Sequence, residues 1–200
     1  MMLPDRPRPG GSSPEKNSPR RIAIGNHHPR LRIDRRRLLG ALFTLDQQFR
    51  YTAADLPGLA PPAKKRARFH ATSRNLHHPI PPALPPGELS IAFLTDDVLA
   101  NLHGRFLDDP STTDVITFDG NADMDSAGEV CVSVDTAIQS ARSRKIDFSR
   151  ELLLYVVHGW LHLAGYDDLR PDRKRRMRAA EARAISLITS TGGPPLFRLA

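Results

Sequence analysis

The stretch Tyr155-Val-Val-His158-Gly-Trp-Leu-His162-Leu-Ala-Gly165-Tyr-Asp-Asp168 constrains this chain more than any other. The apolar run just before it, Leu152-Leu-Leu-Tyr-Val-Val157, predicts a helix buried nearly all round. Residues four apart on a helix share a face, one turn apart. His158 and His162 therefore present two imidazoles to one point. Buried polar side chains need partners. One metal ion would satisfy both rings; two separately satisfied core histidines are the other reading. Gly165 suits the left-handed position just past a helix end, and its turn carries Asp167 and Asp168 back toward the histidines. Asp168 is the expected third ligand, with Asp167 the competing candidate. Three protein ligands and an open fourth position is the arrangement of a catalytic zinc site, which predicts one Zn2+ per chain.

The spacing can be set beside the metzincin pattern H-E-x-x-H-x-x-G-x-x-H. His158, His162, Gly165 and Asp168 fall on its two helical histidines, its glycine and its last ligand. The glutamate that serves proteases as general base is replaced by Gly159, which disfavours a metallopeptidase. The segment His-Gly-Trp-Leu-His-Leu-Ala-Gly-Tyr-Asp-Asp resembles the H-G-x-L-H-L-x-G-Y-D-H signature of the YbeY family of bacterial metal-dependent endoribonucleases. Further blocks extend the resemblance: Arg21-Ile-Ala-Ile-Gly-Asn26, Gly87-Glu-Leu-Ser-Ile-Ala-Phe93, Ser111-Thr-Thr-Asp-Val-Ile-Thr-Phe118 and Gly128-Glu-Val-Cys-Val-Ser-Val-Asp-Thr-Ala137. The chain departs from the family in carrying Asp168 where the last histidine stands. Family members also commonly carry an arginine after an aromatic residue at the RNA-binding surface. Without gaps that place is Leu107; Arg105, two residues earlier, is the candidate RNA-binding residue.

Two hundred residues with 40% hydrophobic side chains suit one domain with tails. No apolar run reaches membrane-spanning length. The formal charge of +7 favours acidic partners such as nucleic acid, although a solvated basic surface would give the same number. A single cysteine excludes an intrachain disulfide framework and suits a reducing cytoplasm. Cys131, between Val130 and Val132, reads as a core thiol. Residues 1–20 are rich in Pro, Gly, Ser and Arg and have no apolar segment of the secretory kind, so a disordered basic tail is expected. Residues 51–86, with Lys64-Lys-Arg-Ala-Arg68 and many prolines, read as an insertion that is solvated or touches RNA phosphates. The domain is expected over 21–190, with a C-terminal tail at 191–200.

Alternation and helical spacing place the remaining elements. Strands are expected over 22–24, 88–94, 114–118 and 129–134. A helix capped by Asp34 runs to Phe49, and a short one spans 96–102. Another, capped by Ser133 or Asp135, ends near Arg144; the histidine helix is capped by Asp147 or Ser149. Pro171 opens a last helix whose start, Arg173-Lys-Arg-Arg-Met-Arg178, is strongly basic; its exposed side is a solvated face or an RNA contact. Residues 119–127 read as a polar loop without calcium-site spacing.

The expected class is α+β: a small mixed sheet of about four strands packed with helices around a zincin-like metal-binding helix. No nucleotide-binding glycine fingerprint is present, so no nucleotide cofactor is expected. The resemblance implies a single-strand-specific, zinc-dependent endoribonuclease. It further implies action on ribosomal RNA of the small ribosomal subunit, in 16S 3′-end maturation and ribosome quality control, in the cytoplasm and without a membrane partner. The alternative class is a non-catalytic ribosome-associated factor with a structural metal.

Overall fold

The computed structural model describes residues 20–52, 55, 84–107 and 111–200. Four strands form a mixed sheet in the order β1-β3-β5-β4. β1 (Ile22–Asn26), β3 (Glu88–Leu94) and β5 (Ser126–Ser133) run parallel, and β4 (Val115–Asn121) lies antiparallel to β5 at the edge. Alternation sorts β3 and β5 between two layers. Leu89, Ile91, Phe93, Val130 and Val132 enter the main core, whereas Ala92, Leu94 and Cys131 join Leu99 and Ile116 in a smaller one. Burial pushes the Cys131 thiol up to about 12, consistent with an inert core residue.

The smaller core is covered by α2 (Asp96–Leu107). The helix runs one turn beyond the expected end at Leu102. Gly104 is tolerated inside it, and the ring of Phe106 in the added turn meets Phe118 at 5.3 Å. The main core lies under α1 (Arg35–Gln48), α3 (Val134–Arg144), α4 (Phe148–Leu163) and α5 (Pro171–Thr191). Asp34 caps α1 by accepting from Arg37 N, Ser133 caps α3, and Asp147 caps α4. Each cap satisfies an otherwise orphaned amide, worth about 1 kcal/mol. α4 is buried along most of its length; removing Leu152, Leu153, Val156, Val157, Trp160 and Leu161 from water contributes roughly 1.5–3 kcal/mol each.

Three expectations need correction. The expected loop at 119–127 is mostly hairpin. β4 and β5 pair out to Asn121↔Ser126, and a 3₁₀ turn at Ala122–Met124 joins them, because ladder hydrogen bonds override the polar composition. The expected tail at 191–200 is not free of the fold: β6 (Phe197–Leu199) pairs antiparallel with β2 (Leu31–Ile33). Phe197 supplies the reason, packing its buried ring 5.5 Å from that of Phe93 while Ser149 Oγ accepts its amide. The expected insertion at 51–86 begins inside the core. Tyr51 and Asp55 are buried, and the Tyr51 hydroxyl donates to Ala164 O at the end of α4. Residues 56–83, including the basic run 64–68, lie outside the described residues, as do residues 1–19 of the tail expected over 1–20. Arg20 belongs to the fold, donating to Asp46, Pro85 O and Gly87 O.

Candidate metal centre

The end of α4 explains how an aspartate ten residues after His158 reaches it. Ala164 ends the helix, and Gly165 follows at φ 90°, a region that side chains rarely tolerate. Gly165 N donates to His162 O at 2.9 Å, and Tyr166 N donates to Leu161 O at 3.0 Å. This paired closure turns the chain back on itself. Tyr166 anchors the turn, its buried ring 6.4 Å from Phe49 and 5.7 Å from Tyr51.

His158, His162 and Asp168 come together there, one donor atom of each lying within 4.8 Å of the others. The two Nε2 atoms are 3.0 Å apart, and Asp168 Oδ1 is 3.9 Å from His162 Nε2. Donors around a tetrahedral zinc, each at its ordinary bond length, stand about 3.3 Å apart, and the observed separations bracket that value. All three side chains are partly shielded, from 16% exposed at His158 to 31% at Asp168.

The far side of each ring fixes its tautomer. His158 Nδ1 donates to Glu181 Oε1 at 2.7 Å, and His162 Nδ1 donates to Tyr166 O at 3.1 Å. Both acceptors require a proton on Nδ1, which leaves both Nε2 lone pairs facing each other. Such a pair accepts a shared proton or a cation between its nitrogens, and the adjacent Asp168 carboxylate favours positive charge. The donor set fits a divalent metal ion.

Electrostatics divides the two histidines. Burial works against a proton on His158, but the hydrogen bond and charge of Glu181, with help from Asp114 and Asp168, hold its pKa above the usual 6.5. His162 is pushed below 6.5, chiefly by burial and then by the neighbouring His158. Sequence reasoning missed Glu181. Its signal was an acid on the flank of the Met177, Ala180, Ala184 stripe in an otherwise basic helix.

The two aspartates have separate surroundings. Asp167 accepts from Leu169 N at 2.7 Å and pairs with Arg173. The Leu169 amide, then Arg173, outweigh partial burial and hold the Asp167 carboxyl below the usual carboxylate value. Asp168 is the aspartate grouped with the histidines. Gly159 does more than lack a base: a Cβ there would stand 2.3 Å from Val130 Cγ1 and 3.0 Å from Val115 Cγ2. A side chain at 159 would point into the sheet, so no glutamate fits. Arg105 is exposed in the last turn of α2, its guanidinium 5.8 Å from the centroid of the Phe106 ring. That helix covers the face of the sheet opposite α4. The position at 107 lies in the same turn.

Residues 63–189 match the family model described as Endoribonuclease YbeY. An Endoribonuclease YbeY from Porphyromonas gingivalis is 34% identical over 113 residues, 56% of this chain and 75% of that protein. One from Protochlamydia amoebophila is 39% identical over 103 residues, covering 50% and 69% respectively. Another, from Beutenbergia cavernae, is 37% identical over 103 residues, 46% of this chain and 69% of its own length. The solution structure of TM1509 from Thermotoga maritima aligns with 84% of this chain and 89% of its own at 19% identity, with a TM-score of 0.48.

Proposed function

This chain belongs to the YbeY family, and from that premise we propose that it is a metal-dependent endoribonuclease that cuts single-stranded RNA. The observation that carries the reading is the donor set: two Nε2 lone pairs and a carboxylate converging, with both Nδ1 protons already placed. His158, His162 and Asp168 would hold one divalent ion, with zinc the metal that two imidazoles and a carboxylate suit. When bound, such an ion supplies Lewis acidity toward a phosphodiester and toward water. The residues of the chain orient and shield. Glu181 and Tyr166 O fix the ring tautomers, and the Gly165 turn holds Asp168 against the histidines.

Three protein donors rather than four leave room for a substrate, which favours catalysis over a purely structural metal. A peptidase is disfavoured because the position of its base faces the sheet. We propose as substrate the ribosomal RNA of the small subunit, matured at the 16S 3′ end in the cytoplasm. Among the described residues no helix is long and apolar enough to cross a membrane. The working unit is residues 21–190 together with the β6 segment; Arg105 is retained as a candidate RNA contact.

The test is cleavage of a single-stranded RNA by purified protein, with a peptide substrate alongside. RNA should be cut, and chelation or His162→Ala should abolish cutting. Undiminished cleavage by His162→Ala, or cleavage of the peptide alone, would overturn the reading.

A further inference from the structure

The positive charge of Arg173-Lys-Arg-Arg-Met-Arg178 is used unevenly by the fold. Arg173 pairs with Asp167, Arg170 and Arg176 with Asp172, and Arg183 with Asp55. Lys174, Arg175 and Arg178 are exposed and have no ion-pair partner among the described residues.

Their bearings around α5 separate these three. Glu181 gives the reference direction, because its carboxylate touches His158. At about 100° per residue, Lys174 stands about 20° and Arg178 about 60° from Glu181, whereas Arg175 stands about 120° away. The buried stripe of Met177, Ala180, Ala184 and Ile188 lies on the other side of Glu181. α5 follows α4 through a tight turn and runs back along it, so stepping from Glu181 toward the start of α5 leads from His158 toward His162 and Asp168. Arg178 lies about 4.5 Å and Lys174 about 10.5 Å along that axis from Glu181. By this helix geometry, two exposed cations one turn apart stand on the Glu181 side of α5, toward the end of α5 that pairs with Asp167.

We propose that Lys174 and Arg178 form a phosphate-binding strip that seats the backbone of single-stranded RNA beside His158, His162 and Asp168. The proposal rests on reading that site as an RNA-hydrolysing centre, and it names the side chains that hold the substrate there. An ammonium and a guanidinium on one helical face both donate charge-assisted hydrogen bonds to phosphate oxygens. Phosphates recur regularly along a nucleic acid, so two cations one turn apart grip the strand without reading its bases. The strip also explains why one face of a helix already supplied with ion pairs carries further uncompensated charge.

The test is the anisotropy of a fluorescent 2′-O-methylated RNA single strand titrated with metal-loaded protein over a salt series. Removing two phosphate contacts should lower the slope of log affinity against log salt by about 1.4, at about 0.7 per contact. Lys174→Ala/Arg178→Ala should show that loss and bind at least about tenfold more weakly at low salt. Lys174→Arg/Arg178→Lys should restore binding, Arg175→Ala should stay within about twofold of wild type, and metal content and melting should not change. The strip is overturned if the double alanine variant binds like wild type, or if Arg175→Ala costs as much. In either case RNA cleavage by the wild type would leave the nuclease reading standing. A wild-type protein that neither binds nor cuts RNA would overturn both.

Discussion

Glu181 offers the most quantitative handle on the site. It accepts from His158 Nδ1 at 2.7 Å, and both side chains are only 16% exposed. A hydrogen bond to a charged group in such a setting contributes about 1.5–3 kcal/mol, and losing a metal ligand's outer partner costs roughly 10–100-fold in metal affinity. Glu181→Gln keeps an oxygen that can accept from Nδ1 but removes the charge, so about a tenfold loss is expected. Glu181→Ala frees the ring and should approach 100-fold. The assay is competition for zinc against a chelating dye, with melting curves to confirm folding. A second readout needs no metal. Glu181 is the main reason His158 sits above 6.5 despite burial, so the His158 pKa in metal-free protein, followed by NMR, should fall in Glu181→Gln. The sign for stability follows. A raised pKa means the folded state holds the proton more tightly. That increment is fully present below 6.5 and is lost as pH rises through the raised value. The advantage of metal-free wild type over Glu181→Gln should therefore be largest in mild acid and shrink on the alkaline side. Unchanged metal affinity together with an unchanged His158 pKa would refute the assignment of Glu181 as the residue that orients this ring.

Other substitutions separate neighbouring roles. Asp168→Ala should cost more metal affinity than Glu181→Ala and leave the fold intact, while Asp168→His should retain a site; metal titration decides both. Asp167→Ala should keep metal within a few-fold but lower stability by about 1–2 kcal/mol, since it loses bonds to Leu169 N and Arg173; urea unfolding measures this. Gly159→Ala should destabilise by about 3 kcal/mol, because its Cβ would overlap Val130 Cγ1, and the thermal midpoint should drop accordingly. Asp55→Ala should cost about 2 kcal/mol in the same unfolding assay. It strips Arg183 of its carboxylate and Thr52 of an acceptor, although the one-third exposure of Arg183 limits the loss.

What was legible in the sequence was what repeats or caps. The histidine helix, its cap at Asp147 or Ser149 and the Gly165 turn could be read because burial, an N-cap oxygen and a left-handed residue each have a local residue signature, and the structure takes Asp147 as the cap. The alternation of Val130, Cys131 and Val132 across two layers was equally plain. β2 and β6 were not, since three residues are too few for a period and their pairing joins Leu31 to Leu199 across the whole chain. Tyr51 and Asp55 were hidden for a related reason. They open a proline-rich stretch, and only their distant partners, Ala164 O and Arg183, show that they are packed. At the site, spacing pointed to His158, His162 and Asp168, with Asp167 left as the competitor. The structure adds that the Leu169 amide and Arg173 engage Asp167. Glu181 escaped notice because its role depends on how α5 lies against α4, which no local pattern encodes.

Elemental analysis of the folded protein reads out whether His158, His162 and Asp168 hold a metal ion. About one divalent ion per chain is expected in the wild type, and its loss in a folded His158→Ala variant. Well-folded wild-type protein that takes up no metal even when zinc is supplied would contradict it.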